Sequence, residues 1–249
     1  MIKGWLKFVL ALASSLIVSA AYGLAFVGPN PETSQLQFTG FSNGSVGATI
    51  TGPLNVQAGQ FEGFFDGDLN GIQADDFFRF FCIDISHYAN GGPNPYTRSL
   101  GLPGTLSSLQ QQEVTRLFDD FYPNPTTGTY WNGGVTNFGQ FTDANASAAF
   151  QLALWEIFFG NGTVQSSPVL ATAQGYLAQI AGEAGNPVPL GWTFYMFTST
   201  CQSDQCYQTY LSAEYSQPLR FTPEPGSLIL LCVAVLAAWA AATRRRQTA

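Results

Sequence analysis

Lysine is absent after Lys7, histidine occurs once, at His87, and only 10% of the 249 residues are charged, against roughly 25% in an ordinary soluble domain. Between residues 21 and 222 four arginines stand against fifteen carboxylates, a formal charge of −11. A phosphate-binding surface needs clustered cations, so nucleic acid is excluded as a partner of this body. With one histidine, and three cysteines outside the apolar C-terminal stretch, a zinc site is not expected, nor any other metal or cofactor. No internal repeat is visible. What is abundant is apolar and aromatic: 46% hydrophobic residues, with 26 Gly, 21 Phe and 10 Tyr. That content is enough for a buried core and excludes disorder. The balance reads as an exported, sheet-rich protein.

The ends carry five of the nine basic residues and read as addresses. Lys3 and Lys7 lead into an apolar run over 8–18, followed by Val18, Ser19 and Ala20. A charged start, a short apolar run and small residues predict a signal peptide over 1–20, cut by signal peptidase, because the run is too short for a bilayer-spanning helix. At the other end Pro223, Glu224 and Pro225 precede an apolar stretch over 228–242 and then Arg244, Arg245 and Arg246. Prolines stop what precedes them, the apolar stretch enters the membrane and the arginines stay on the cytoplasmic side. The body, 21–222, therefore faces outward. The order of Pro-Glu-Pro, short hydrophobic helix and Arg cluster over 223–249 resembles the PEP-CTERM sorting signal of Gram-negative bacteria. That resemblance implies transient anchoring in the inner membrane, cutting by an exosortase near Pro-Glu-Pro, and release to the cell surface or exopolysaccharide matrix.

Within the body, β-type runs occur over 35–39 and 46–51, and a hairpin is predicted from 60–65 and 77–85. Helical spacing of Leu109, Val114, Leu117, Phe118 and Phe121 predicts a helix over 106–121, stopped by Pro123. A second helix is predicted over 143–159, capped by Asp143 and ended by Gly160, and a weaker third over 168–180. Segments 191–197 and 207–215 read as closing strands. The fold class is α+β: a β-rich platform bearing a helical subdomain.

Two residues are anomalous in this frame. An exported chain ought to pair its thiols. Cys232 lies in the sorting helix, and Cys201 and Cys206 are close enough in sequence to form a disulfide, which leaves Cys82 without a partner. Gln151 falls on the apolar side of its predicted helix, within about 60° of Ser147, Leu154, Trp155 and Phe158 at 100° per residue, while Glu156 points away. An unpaired buried carboxamide costs on the order of 1–3 kcal/mol, so something should satisfy or consume it.

Phe80-Phe81-Cys82-Ile83-Asp84 and, 69 residues after the cysteine, Phe150-Gln151-Leu152-Ala153-Leu154-Trp155 together resemble the Cys-Gln thioester domains of bacterial surface adhesins. In those domains an aromatic-Cys-aliphatic strand faces a hydrophobic-Gln-x-x-hydrophobic helix, and the likeness extends over about 56–200. It implies that the Cys82 sulfur attacks the Gln151 carbonyl, ammonia leaves, and a latent thioester awaits an amine or hydroxyl. Phe80, Trp155 and His87 would line the site, with Phe78 and Phe80 helping to keep water out. The absence of lysine from the body fits a bond that must not be spent internally. Those adhesins usually belong to Gram-positive cells and end in a different anchor, so host binding does not carry over.

The function expected is single-use covalent attachment to an extracellular polysaccharide or protein nucleophile, with no turnover catalysis. The alternative is a noncovalent structural or glycan-binding matrix protein in which Cys82 is an inert buried thiol. A Cys-His hydrolase is disfavoured because a strand continuing from Cys82 to His87 would place the two on opposite faces. His87 then reads as an exposed strand-end residue, with assistance to hydroxyl attack as its sharper role. Asp66-Gly67-Asp68-Leu69-Asn70-Gly71 matches half a calcium loop, but position twelve is Phe77, and a hairpin turn accounts for it.

Overall fold

The structure, a computed structural model, describes residues 31–66, 77–89, 91–123, 139–201 and 206–215, with the backbone alone of 129–131 and 134–136. All of these belong to one compact unit, 23–216. The chain order is β1 (Glu32–Phe41), β2 (Val46–Ile50), β3 (Leu54–Ala58), β4 (Phe61–Phe65), β5 (Phe77–Cys82), β6 (Asn94–Leu100), α1 (Ser108–Phe121), β7 (Thr129–Trp131), β8 (Gly134–Thr136), α2 (Ala144–Phe159), β9 (Val164–Ser166), α3 (Leu170–Gly182), β10 (Trp192–Ser199) and β11 (Tyr210–Tyr215). Six strands close into an antiparallel barrel in the order β1-β4-β5-β11-β10-β6. The β-rich platform inferred from sequence is therefore a closed sheet, which leaves no unpaired edge among these strands.

The phenylalanine-rich composition explains how so small a barrel is filled. Phe78 and Phe80 point into it with Phe38, Phe65, Phe197 and Tyr210, as ring centroids 5.0 Å apart for Phe78–Phe197, 5.2 Å for Phe38–Phe80 and 5.3 Å for Phe65–Phe197 require. Edge-to-face packing of this kind adds to the burial of large side chains. Gly63 of β4 sits where a Cβ would collide with the Gln37 carbonyl of β1, so only glycine permits this close approach of strands.

β5 is buried along its whole length because both its faces are covered. Phe78, Phe80 and Cys82 share the inner face, while Phe81 turns outward onto Phe118 of α1 and Phe150 of α2, with centroids 6.1 and 4.7 Å away. α1 begins with a reciprocal capping box between Ser107 and Gln110. α2 begins at Asp143, whose carboxylate accepts from Asn145 N and Ala146 N, and ends at Gly160 with φ of 97°. From Ser147 to Ile157 every residue of α2 is buried. The helix expected to show one apolar face is enclosed by α3, α1 and the small sheet β3-β2-β9, and by β5 through Phe150 and Gln151.

Candidate functional site

Cys82 is the last residue of β5, and Gln151 lies one turn past the start of the buried stretch of α2. Cys82 is 1% exposed and Gln151 0%. The structure brings them together through both ends of the carboxamide: Cys82 N–H donates to Gln151 Oε1 at 2.9 Å, and Gln151 Nε2 donates to Cys82 C=O at 2.8 Å. The indole N–H of Trp155, one helical turn on, donates to the same carbonyl at 3.0 Å. Residues 151 and 155 share a face of α2, as i and i+4 positions do. The cysteine main chain is thus gripped by two side chains of the helix that crosses it.

The Cys82 sulfur lies against the main chain of Asp84: its Sγ donates to Asp84 O at 2.9 Å and accepts from Asp84 N at 3.4 Å. Burial pushes the thiol up from its ordinary 9.0 to about 12, against smaller opposing contributions from the Asp84 main-chain N–H and Trp155. At neutral pH the group is a thiol, and any nucleophilic step must move its proton as the sulfur bonds.

His87 does not continue the strand. The chain turns after Cys82: Asp84 Oδ1 accepts from Ser86 N at 2.8 Å, and Asp84 Oδ2 lies 2.6 Å from His87 Nδ1. The opposite-face expectation for Cys82 and His87 required an extended segment, and this aspartate turn replaces it. His87 is 41% exposed and Asp84 18%. His87 and Trp155 line one cavity of about 320 Å³, together with Phe41, Asn55, Tyr88 and Gln208. Phe80 is not part of that lining. Its ring is wholly buried inside the barrel against Phe38, Phe61 and Tyr210, where it shields the inner side of β5.

Sequence reasoning missed two buried polar residues of this region. Gln60, just before β4, donates from its main-chain N to Ser147 Oγ at 2.6 Å, from Nε2 to Tyr122 Oη at 3.1 Å and to Gly139 O at 3.0 Å, and accepts from Phe141 N at 3.3 Å. Glu156 points away from Gln151, but inward: its carboxylate accepts from Gly162 N and Val164 N, each at 2.6 Å, fixing the turn after α2. Neither carries a periodic signal, because the partners of Gln60 lie on segments distant in sequence and those of Glu156 are loop main chain.

A disulfide joins Cys201 to Cys206, and Cys82 is the free, buried cysteine among the described residues. No cluster of metal-ligating side chains occurs among the described residues. Asp66 is described, its N–H donating to Gln35 O at 3.1 Å, but the rest of the half calcium loop lies outside the described residues. So do the predicted signal peptide and the whole of 223–249. Among the described residues no helix is long and apolar enough to cross a membrane.

No curated protein matches the chain significantly. In structure it is similar to the N-terminal thioester domain of protein F2 like fibronectin-binding protein from Streptococcus pneumoniae, at 12% identity and a TM-score of 0.42, covering 76% of this chain and 100% of that one. Residues 221–246 match the PEP-CTERM protein-sorting motif. By that motif the chain is an exported protein, made as a membrane-anchored precursor and processed by an exosortase.

Proposed function

We propose that the exported body attaches covalently to its target through an internal thioester between Cys82 and Gln151. The observation that carries this reading is the pairing of the Gln151 carboxamide, at both its ends, with the main chain of Cys82 in a buried setting. Proximity of this kind replaces a bimolecular encounter with an intramolecular one. As the sulfur adds to the Gln151 carbonyl carbon, negative charge develops on Oε1, where the Cys82 N–H already donates. A donor fixed on that oxygen stabilises the tetrahedral intermediate. The thiol proton passes to the leaving nitrogen, the C–N bond breaks, ammonia departs, and a C–S bond remains. An incoming nucleophile later forms a new bond to the same carbon, and Cys82 regains its proton. The protein is consumed in the process, so this is attachment and not turnover. Release to the cell surface or extracellular matrix after exosortase processing would put the acyl group where its targets are.

A second reading draws on the same hydrogen bonds. Gln151 is fully paired, as a structural glutamine would be, and Cys82 is buried as an inert thiol would be. That protein would be a noncovalent structural or glycan-binding component of the matrix. Incubation with methylamine and peptide mapping separate the two: the first predicts N-methylation of the Gln151 side chain, absent in Cys82→Ala, and the second predicts an unmodified Gln151 in both.

A further inference from the structure

Among the described residues, the cavity beside Trp155 has no carboxylate, lysine or arginine in its lining. It is walled by the rings of Phe41, Phe61, Tyr88 and Trp155, with Asn55 and Gln208 supplying carboxamides. Its volume of about 320 Å³ is at the lower end of the range for small-ligand sites. Aromatic faces beside amide groups suit a neutral, hydroxylated ring. A lysine side chain arrives as a cation, and needs a carboxylate both to hold it and to take its proton. Asp84, two residues before Ser86 in the lining, is already engaged by His87.

A hydroxyl has the opposite requirements: no charge to neutralise, but a base to remove its proton. His87 lines the cavity with Trp155, whose indole N–H reaches Cys82 C=O, while Gln151 and Cys82 themselves are not part of the lining. With Nδ1 held 2.6 Å from Asp84 Oδ2, the neutral ring carries its proton on Nδ1 and offers Nε2 as acceptor. The same Asp84 holds the Cys82 sulfur through its main chain, at 2.9 Å from O and 3.4 Å from N, so one residue ties the base to the group that must leave. We propose that the acyl acceptor is a hydroxyl of an uncharged saccharide, admitted through this cavity and deprotonated by His87.

This rests on the thioester reading. As the saccharide oxygen bonds to the Gln151 carbonyl carbon, its proton moves to His87 Nε2 and the C–S bond breaks. The imidazolium then returns the proton to sulfur, leaving a Gln151-derived ester and the Cys82 thiol. Burial raises that thiol to about 12, so the sulfur departs poorly without a proton, and the imidazolium supplies one.

The test uses the processed full-length protein, with cellobiose, Nα-acetyl-lysine and methylamine as probes and intact mass as the readout. With cellobiose and Nα-acetyl-lysine at equal concentration, the cellobiose ester should dominate and be cleaved by hydroxylamine. His87→Ala should form that ester about a hundredfold more slowly, the usual value of a positioned base. Added imidazole should restore part of the rate, and the untreated His87→Ala protein should still show the mass one ammonia below its sequence, which a general structural loss would not allow. Dominance of the lysine amide, or equal ester formation by His87→Ala, overturns the proposal while leaving the thioester standing. Absence of methylamine capture from the wild-type protein overturns both.

Discussion

Gln151 meets Cys82 main chain to side chain: the carboxamide closes a two-bond ring with the cysteine's own N–H and C=O, at 2.9 and 2.8 Å. Gln151→Ala therefore leaves Cys82 N–H without its acceptor in a dry site. The expected cost is about 1–3 kcal/mol, read as a lower denaturation midpoint at unchanged m-value. The Cys82 carbonyl keeps Trp155 as donor, which holds the loss to that range. The variant should also take up no methylamine.

Trp155→Phe keeps the ring and removes the indole N–H that reaches Cys82 C=O at 3.0 Å. In a Cys82→Ala background, where no thioester forms and the carboxamide is kept, Gln151 still donates there, so the expected loss is about 0.5–1.5 kcal/mol, smaller than for Gln151→Ala in the same background. Chemical denaturation of the two variants side by side checks the order.

Asp143→Ala removes the carboxylate that accepts from Asn145 N and Ala146 N at 3.2 and 3.1 Å, and should cost about 0.5–2 kcal/mol. The cap is remote from the sulfur, so methylamine capture should persist in the folded fraction. Thermal unfolding and mass spectrometry of the same sample separate stability from chemistry.

The Cys82 thiol makes the protein alkali-sensitive once it is free. Burial holds its pKa up at about 12, against 9.0 ordinarily. Below pH 9 both folded and unfolded chains keep the proton. Between pH 9 and about 12 the unfolded chain has lost it and the folded chain has not, so stability falls as the pH rises through that window. Wild-type protein opened by methylamine should therefore lose stability over that interval more steeply than Cys82→Ala. The unopened thioester, with no proton on sulfur, should resemble Cys82→Ala. Stability curves against pH for the three forms provide the comparison.

Much of this arrangement could be read from local pattern. The helix carrying Gln151 begins at Asp143 and ends at Gly160 because an acidic cap and a positive-φ glycine bracket an alanine-rich run. The strand carrying Cys82 pairs with β4 as the phenylalanine runs predict. Barrel closure was not legible, because it depends on β6, where Pro95 and Arg98 mask the strand pattern. Arg98 is accommodated only by burying it with Glu32 of β1 at 2.6 Å, a pairing across 66 residues. Phe77–Cys82 shows no alternation, since both faces of β5 are covered. Periodicity there could not say which side Cys82 takes. The position of His87 followed from a turn made by Asp84, and nothing in the residue spacing distinguishes that turn from a continuing strand. Gln60, held by Ser147, Tyr122 and Gly139, depends on contacts between segments distant in sequence.

The Cys82–Gln151 thioester is tested by the intact mass of the exported protein, purified without amine buffers. The account predicts a mass one ammonia below that of the disulfide-bonded, processed sequence, with no titratable thiol after denaturation under acid, and the full mass in both Cys82→Ala and Gln151→Ala apart from the substitutions themselves. A wild-type protein at its full mass, with one free thiol on denaturation and no methylamine adduct, would contradict it.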